Sequence, residues 1–450
     1  MIDAATTRRH AGDWAGACAA AHVDVDIDLR SLARTHGREL AARVRSDLRH
    51  LAPDLLRWHL PRVAPDGLLR PGLTTALARY DPEDAGIPCG STGSVHLVVR
   101  TPPAWAEAGQ RISLALWDGS KPGSGPSMHP HPRPNRRFRL DLHRHLWDAR
   151  RTGELRMRSG AMQFAAHSDR NSATATNLWA VDPGLLALVP QDCAVDRWAA
   201  EAAILLRAEK ARGGLVLVRF GARHRVVLGA DTDGGETLPL RITGKYPRGG
   251  VSALPVLPDA ATWVLPDLAL LRAGAITADQ LHPLVASALD PAWSATDATP
   301  MTGAAGRQRF VECRGERHRI GLVDGVLVAL DHDPAEIRRE ELLVALTGTP
   351  LPCLQAIDRT HRRPDGLAGV RERLDHGDIA GALTVVEDML GADAQLRDGP
   401  LRDALEAVAH RRITYGLFRA GLPAPGHGRC QPARRARREH GVHPRHATTI

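Results

Sequence analysis

The sequence predicts an α+β protein, and three observations carry that prediction. Apolar residues recur at helical spacings of three and four positions near both ends of the chain. Between these ends, short stretches alternate apolar and polar residues and come in pairs around turn residues, as β-hairpins do. Beyond Leu422 the chain is rich in Pro, Gly, His and Arg and has almost no apolar residues, which indicates disorder.

These patterns divide the 450 residues into four regions. A chain of this length holds roughly three domains at the usual size of about 150 residues per domain. We expect a mainly helical N-terminal region over 1–80 and a mixed α+β middle over 85–333 with room for two subdomains. A helical C-terminal region over 334–421 and a disordered basic tail over 422–450 complete the prediction.

A short motif that occurs twice marks two expected helix starts. Gly12-Asp13-Trp14-Ala15-Gly16-Ala17 returns near the other end as Gly377-Asp378-Ile379-Ala380-Gly381-Ala382. Gly ends the preceding element and Asp is a favoured N-cap, so Asp13 and Asp378 are each expected to cap a helix. The second helix then carries an apolar stripe at helical spacing, made of Ile379, Leu383, Val386 and Leu390.

The middle region predicts paired strands. A repeated pattern of Gly followed by Arg-His-Arg and an apolar run, at 221–228 and again at 315–322, is typical of a turn that leads into a strand. We therefore expect one hairpin over 215–228 and another over 310–330, the latter with an Asp324-Gly325 turn. Further strands are expected at 95–100, 112–117 and 137–145.

Helices are expected over most of the remaining chain. In the middle region, 195–212 is amphipathic, and 258–289 contains Asp267 and Thr277 as plausible N-caps. Near the N-terminus, the pattern predicts a helix ending at about Leu51 and a restart at Pro53. Toward the C-terminus, breaks that contain Gly or Pro separate helices expected at 336–346, 352–361, 366–374, 379–390 and 401–418.

The basic residues are strongly biased toward Arg and concentrated in the tail. All but three of the 59 basic residues are Arg, as codon usage in a GC-rich genome produces. The net charge is +8, and residues 426–450 contribute +5 of it through six Arg and one Glu. We therefore expect nucleic acid to bind only through the tail, if at all.

The cysteines argue against a zinc ribbon and against a disulfide framework. The chain has six Cys, and they are widely spaced without a Cys-x-x-Cys pair. We interpret them as free thiols in a reducing compartment. The N-terminus lacks the apolar core of a signal peptide, and no apolar run is long enough to span a bilayer. A cytoplasmic protein without membrane association is expected.

Two His-x-His pairs are the first candidate for chemistry. His129 and His131 lie in a Gly/Pro-rich loop, and His143 and His145 follow one segment later. On strands, two such pairs could offer four nitrogens to a tetrahedral zinc ion. The arginines around them would repel a cation, so we interpret the segment as a solvated basic strand. The prediction is a protein that carries no bound metal.

Three acidic residues near the N-terminus are a second candidate. Asp24, Asp26 and Asp28 share one face of an alternating segment, and carboxylate oxygens suit Mg²⁺ or Ca²⁺. The alternative is that this face is exposed and that Asp28 caps the next helix.

A third candidate is His332, which Asp331 and Asp333 flank. A His beside a carboxylate fits a general base, while the alternative assigns Asp333 to the N-cap of the following helix. The Gly-x-x-x-x-Gly-Lys-Ser/Thr motif of a phosphate-binding loop is missing from the sequence, since the nearest match, Thr243-Gly244-Lys245-Tyr246, lacks the first Gly and the final hydroxyl. No residue is assigned to catalysis, to a cofactor or to a metal.

Three segments carry a family resemblance: LRHLAPDLLRWH (48–59), RRFRLDLHRHLWD (136–148) and RRITYGLF (411–418). They resemble stretches of an uncharacterised actinobacterial protein family of unknown function, over most of the chain. The resemblance implies no activity or site residue. It implies only that an AAA+ ATPase is one candidate partner.

From these features we expect a non-enzymatic scaffold or adaptor that binds protein partners through helical surfaces. The alternative is an enzyme of unrecognised class, such as a hydrolase, that uses the His/Asp-rich middle region. The absence of familiar motifs leaves that alternative open, because active sites can assemble from residues that are distant in sequence.

Overall fold

The computed structural model describes two compact units of an α+β chain. The described residues are 1–81, 93–107, 110–119, 129–161, 188–211, 214–220, 224–229, 241–243, 250–290, 293, 309–313, 315–323, 326–333, 335–339, 351–355, 367–390, 396 and 398–422. Unit 1 comprises Met1–Thr101, Ile112–Gly123 and His129–Thr299. Unit 2 comprises Pro102–Arg111, Ser124–Met128 and Pro300–Ile450.

Unit 1 opens with five short helices. They are α1 (Ile2–His10), α2 (Trp14–Ala20), α3 (Leu29–His36), α4 (Arg38–His50) and α5 (Pro53–His59). The predicted cap of α2 is confirmed, since Asp13 Oδ1 accepts a hydrogen bond from the Gly16 N–H at 2.8 Å. Asp28 caps α3 by accepting from the Arg30 N–H at 2.9 Å. Pro53 begins α5, because its fixed φ suits the first helical position.

A four-stranded sheet lies beside these helices. It has the order β1 (Val23–Asp26), β6 (Ile112–Trp117), β5 (Val95–Arg100) and β4 (Thr74–Tyr80). β1 runs parallel to β6, and the other neighbours are antiparallel. The strands expected at 95–100 and 112–117 are therefore confirmed. A two-stranded hairpin, β2 (Arg62–Val63) and β3 (Leu68–Leu69), lies between α5 and β4 in the chain.

One core joins the helices and the sheet. Leu40, Val44 and Leu48 form an apolar stripe along α4, and all three are fully buried. They belong to the same apolar cluster as Leu97 of β5 and Leu114 of β6. Burying a side chain of this size contributes about 1.5–3 kcal/mol, so this cluster supplies much of the stability of unit 1. The boundary predicted between the N-terminal region and the middle region, after residue 80, falls between the neighbouring strands β4 and β5 of this sheet.

The segment 137–145 is not the strand that its alternation predicted. Its backbone makes isolated bonds to the edge strand β4, from Asn135 N–H to Thr74 O and from Leu140 N–H to Ala76 O, each 2.8 Å. The Arg137 N–H donates instead to Asn135 Oδ1 at 2.9 Å. This local bond bends the chain out of register with β4, because side-chain amides compete with ladder partners for backbone donors. A 3₁₀ turn follows at Arg144–Leu146.

A second sheet packs on a long helix. β7 (Leu215–Phe220), β8 (His224–Gly229) and β9 (Arg241–Ile242) form an antiparallel sheet, which confirms the predicted hairpin at 215–228. The alternation of its residues gives the sheet two faces. On one face of the sheet, Val216, Val218 and Phe220 share a core with Trp198, the first residue of helix α7 (Trp198–Ala208). Helices α6 (Leu155–Arg158) and α7 (Trp198–Ala208) precede this sheet in the chain.

Short helices follow the second sheet. They are α8 (Asp259–Thr262), α9 (Pro266–Arg272) and α10 (Pro283–Leu289). Thr277 caps a 3₁₀ turn at Ala278–Gln280 with a full capping box, as predicted. Asp267 is not the N-cap that the sequence predicted. It lies inside α9, whose N-cap is Leu265, and its carboxylate accepts from the Trp58 indole N–H at 2.9 Å.

Unit 2 combines a small sheet with helices. β10 (Arg309–Cys313), β11 (Glu316–Val323) and β12 (Val326–Ala329) are antiparallel, which confirms the second predicted hairpin. Helical turns at 335–339 and 352–355 cover part of two predicted helices. Three further helices are α11 (Leu367–Asp375), α12 (Ile379–Leu390) and α13 (Pro400–Arg419). Val370, Val386 and Leu405 belong to their shared core.

The second copy of the repeated motif also caps a helix. Asp378 Oδ1 accepts from the Gly381 N–H at 3.0 Å at the start of α12, as predicted. The Asp324-Gly325 turn and the tail from 423 onward lie outside the described residues. Within the described ranges, no helix combines the length and the apolar character needed to cross a bilayer.

Candidate functional site

Most of the histidines proposed for a solvated basic strand lie in the interior of unit 1. His129, His143 and His145 are buried, and only His131 is exposed as expected. His129 Nε2 lies 2.9 Å from the Thr101 carbonyl oxygen. The interpretation of this segment as solvated is therefore wrong for three of the four rings. Each of these rings packs as part of the fold.

His143 belongs to a buried ionic triad. Its Nε2 lies 3.1 Å from Glu201 Oε2, and the Arg158 guanidinium donates to both Glu201 oxygens at 2.7 Å. Burial raises the pKa of Glu201, but the hydrogen bonds from His143 and Arg158 outweigh it and hold that pKa far below its usual range. This carboxylate is ionised and saturated with donors. Its hydrogen bonds therefore hold α6 and α7 to the 3₁₀ turn at Arg144–Leu146, and it does not act as a base.

A second buried pair joins helices that are far apart in the sequence. His282 Nε2 lies 3.0 Å from Asp54 Oδ2, and both side chains are fully buried. Burial raises the pKa of Asp54, while the hydrogen bond and the charge of His282 lower it, with a net fall. Neither residue was singled out by sequence, because Asp54 lies in α5 and His282 is the N-cap of α10, far along the chain. Breaking such a pair leaves an uncompensated buried charge, which is strongly destabilising.

Three of the acidic residues considered for metal binding or for catalysis, Asp28, Asp331 and Asp333, make local contacts instead. The Asp28 carboxylate caps α3, which supports the alternative given for it above. Asp331 pairs with Arg319, whose hydrogen bond is the main reason that the pKa of Asp331 falls to about 2. Asp333 Oδ1 accepts from the Ala335 N–H at 3.0 Å and so caps the turn at 335–339. Asp331 and Asp333 therefore do not form a general-base pair with His332.

His332 instead meets two cysteines that sequence reasoning left apart. The Cys313 and Cys353 sulfurs and a ring nitrogen of His332 all lie within 4.8 Å of one another, and all three residues are buried. Burial is the main cause that raises the pKa of the Cys353 thiol, to about 11, with a hydrogen bond to Cys313 adding to it. Two thiols and an imidazole are the donor types that bind zinc. Their wide spacing hid the cluster.

A cleft lies beside the hairpin of β7 and β8 in unit 1. Its cavity holds about 280 Å³. Leu217 of β7 forms part of an apolar floor with Val251 and Val256. Arg219 and Arg225 stand on the same face of the hairpin, directly opposite each other across the two strands. We call this feature the arginine cleft.

The charges of the arginine cleft are poorly compensated. Arg219 and Arg225 form no ion pair and no side-chain hydrogen bond with any part of the chain that the structure describes. Arg136 binds two neutral carbonyl oxygens, Ser252 O at 2.7 Å and Leu254 O at 2.5 Å, so its charge is also not neutralised. Arg137 alone is paired, with Asp259 at 2.5 Å. Three positive charges thus surround an apolar floor.

A neighbouring cavity of about 310 Å³ differs in how the charges of its lining are compensated. Arg139 on its wall donates to Asp141 and to Glu209, each at 2.5 Å. Arg79 pairs with Asp81 at 2.7 Å. Arg133 and Arg136 line this cavity too, but so do Asp118, Asp141 and Glu209. It therefore offers an anion less than the arginine cleft does, since no acid is among the described residues that line the cleft.

No protein-family model, no curated protein and no solved structure matches this chain. The arginine cleft and the Cys313–His332–Cys353 cluster are therefore interpreted from their own geometry. One is an open positive surface, and the other is a closed set of metal-binding donors.

Proposed function

We propose that this chain is a non-enzymatic adaptor that binds a protein partner, and that the arginine cleft holds an acidic segment of that partner. The observation that carries the proposal is the pair Arg219 and Arg225. Like charges directly opposite each other in a sheet destabilise it, typically by a few tenths of a kcal/mol to about 1 kcal/mol. A bound carboxylate would relieve this repulsion and accept paired hydrogen bonds from the guanidinium groups.

The size and floor of the cleft favour a protein segment over a small ligand. Small-molecule sites usually measure about 300–1,000 Å³, and this cavity of about 280 Å³ falls just below that range. It suits one or two side chains of a larger partner. Leu217, Val251 and Val256 would receive an apolar side chain beside the acidic one. A nucleic-acid backbone would offer no apolar group to this floor.

Buried titratable groups support a binding role more than a catalytic one. Glu201 of the buried triad and Asp54 of the buried pair already receive hydrogen bonds from His143, Arg158 and His282. Neither lines the arginine cleft. Catalytic acids and bases need access to a substrate, so these pairs fit a role in stability.

The helical surfaces that the sequence suggested for binding offer less. Among the described helices, Met157 on α6, Leu270 on α9 and Ile413 on α13 are 63%, 44% and 53% exposed, with one such large apolar residue on each helix. Single exposed apolar residues are ordinary on a protein surface. The proposal therefore keeps the adaptor function and places protein binding at the arginine cleft.

We propose a cytoplasmic location for this adaptor. The four described cysteines, Cys18, Cys193, Cys313 and Cys353, are free and buried, which suits the reducing cytoplasm proposed for the adaptor. The resemblance to an actinobacterial family adds an AAA+ ATPase to the partners worth testing.

A peptide-display selection tests the proposal without a known partner. Random peptides are selected on the immobilised full-length protein and counter-selected on Arg219→Glu/Arg225→Glu. Arg207→Glu is the matched control, because Arg207 is an exposed arginine on α7 in the same unit. We expect peptides that combine Asp or Glu with an apolar residue, retained by the control variant and lost from the double variant. Selected peptides that bind all three proteins equally would refute the cleft as the site.

A further inference from the structure

The Cys313–His332–Cys353 cluster joins three separate segments of unit 2. Cys313 ends β10, His332 lies in the turn after β12, and Cys353 lies in the helical turn at 352–355. Their ligand atoms lie within 4.8 Å of one another. Cys313 and Cys353 are fully buried, and His332 is 9% exposed. The donors therefore face one another in the interior and away from solvent.

The ring of His332 is oriented as a metal ligand is. Its Nδ1 lies 3.5 Å from Glu336 Oε2, one helical turn further on. Its Nε2 is buried and makes no hydrogen bond with any described residue. Histidine ligands usually present one nitrogen to the metal while a carboxylate holds the other N–H. Glu336 is placed for that second role.

A second histidine beside the cluster also has an unsatisfied ring nitrogen. His318 of β11 stacks on His332, with ring centroids 4.2 Å apart and planes inclined by 11°. Its Nδ1 is also buried without a hydrogen-bond partner among the described residues. Leaving a buried polar group without a hydrogen bond destabilises a fold, so two such nitrogens beside two thiols need an explanation. A bound cation would satisfy the His332 nitrogen directly.

We propose that Cys313, Cys353 and His332 Nε2 bind a structural Zn²⁺ ion. Sulfur and imidazole donors favour zinc over Mg²⁺ or Ca²⁺, which prefer oxygen. Three protein ligands leave the fourth position of a tetrahedral ion to a water molecule. On binding, each thiol loses its proton to solvent and the thiolates bind the metal without any change of oxidation state. The ion holds the β10–β12 sheet to the turn at 352–355.

This proposal reverses the expectation of a protein without metal. That expectation rested on the absence of close Cys pairs and on the arginine-rich His segment. The first observation excludes only cysteine ligands that are close in sequence, and the second concerns another part of the chain. The cluster forms only when the hairpin and the turn at 352–355 come together, which no local spacing reveals.

Elemental analysis of the full-length protein tests the site. The protein is expressed with added zinc, passed through metal-free buffer, and compared with Cys313→Ser/Cys353→Ser and with His332→Ala. Cys18→Ser is the matched control, since Cys18 is a buried free cysteine outside the cluster. We expect one zinc per wild-type chain and per control chain, and none in the double variant. His332→Ala should bind zinc at least ten-fold more weakly.

A second measurement keeps the test valid if a variant misfolds. Apo wild-type protein, prepared with a chelator, is titrated with Co²⁺ under reducing conditions. Tetrahedral thiolate coordination should give a sulfur-to-cobalt charge-transfer band that zinc then removes. Wild-type protein that holds no metal and shows no such band would overturn the proposal. A Cys313–Cys353 disulfide found by mass spectrometry in protein purified under reducing conditions would also overturn it.

Discussion

Arg373 contacts Asp378 across the turn between α11 and α12, with Nη1 2.9 Å from Oδ2, and Arg8 makes the same contact with Asp13 at 3.1 Å. In both turns the Asp N–H also donates to the Arg carbonyl oxygen, at 2.8 and 2.9 Å. The preceding glycine adopts a left-handed φ of 81° in one turn and 76° in the other. The motif repeated in sequence is thus a repeated helix–turn–helix, once in each unit.

The cap of α12 gives the first prediction. Asp378→Ala removes the hydrogen bond to the Gly381 N–H and should lower the free energy of unfolding by about 1 kcal/mol. Chemical denaturation of the full chain measures the change. Asp398→Ala serves as control, because Asp398 is an exposed acid that precedes α13 and caps nothing by its side chain. Equal stability of Asp378→Ala and wild type would contradict the cap.

Two helical glycines give opposite expectations for the same substitution. A Cβ on Gly381 would lie 2.2 Å from Asp378 Oδ2, so Gly381→Ala must displace the capping carboxylate and should destabilise the protein. Gly416 inside α13 has nothing within 4 Å of its Cβ position. Gly416→Ala should therefore stabilise by about 0.5–1 kcal/mol through helix propensity. Chemical denaturation of the full chain measures both changes. A Gly381→Ala variant that is more stable than wild type would contradict the tight turn.

Buried His59 makes stability depend on pH. Its Nδ1 lies 3.0 Å from the Leu146 carbonyl oxygen, and burial is the main cause that lowers its pKa to about 4. Although Asp267 lies 3.7 Å from Nε2, that nitrogen makes no hydrogen bond among the described residues, so the ring is neutral in the folded state. The unfolded chain binds the proton near pH 6.5.

Stability should therefore fall as pH drops from about 6.5 to about 4, by up to about 3 kcal/mol from this residue at about 1.4 kcal/mol per pKa unit. His59→Gln keeps a donor for Leu146 and should flatten this dependence. His10→Gln, at an exposed position on α1, should not. Urea denaturation at several pH values measures both. Equal slopes for wild type and His59→Gln would contradict a neutral buried His59.

The tail gives a prediction that rests on sequence alone. Residues 426–450 hold six Arg and no apolar periodicity, so deleting them should leave the melting temperature almost unchanged. If the tail binds polyanions, its six arginines should give an affinity that falls with salt at a slope of about −0.9 per phosphate contact. A gel-shift comparison of full-length and truncated protein measures this. Equal binding by both would exclude the tail as a nucleic-acid anchor.

Local signals predicted much of the fold. The caps at Asp13, Asp378 and Thr277 and the strand pairs of both hairpins follow from nearest neighbours in the sequence. The failure at 137–145 has a local and a tertiary cause, because the Asn135 side chain accepts from the Arg137 N–H while the edge of β4 accepts from the Leu140 N–H. Alternation alone cannot show whether a partner strand is available.

The candidate sites depended on contacts across the chain and could not be predicted. Arg219 and Arg225 are visible within one hairpin, but their lack of acidic partners among the described residues is a property of the folded surface. Cys313, His332 and Cys353 meet only through tertiary packing. In contrast, the histidines at 129, 143 and 145 drew attention by their spacing and turned out to be packed in the core.

Calorimetric titration with a matched peptide pair tests the central proposal most directly. An acidic peptide from the display selection and its twin with Gln for Glu and Asn for Asp are titrated into wild type, Arg219→Gln/Arg225→Gln and Arg207→Gln. We predict that wild type and Arg207→Gln bind the acidic peptide at least ten-fold more tightly than they bind the twin. The double variant should lose that preference, and added salt should weaken it. Equal affinity of the double variant and wild type for the acidic peptide would contradict an adaptor that works through the arginine cleft.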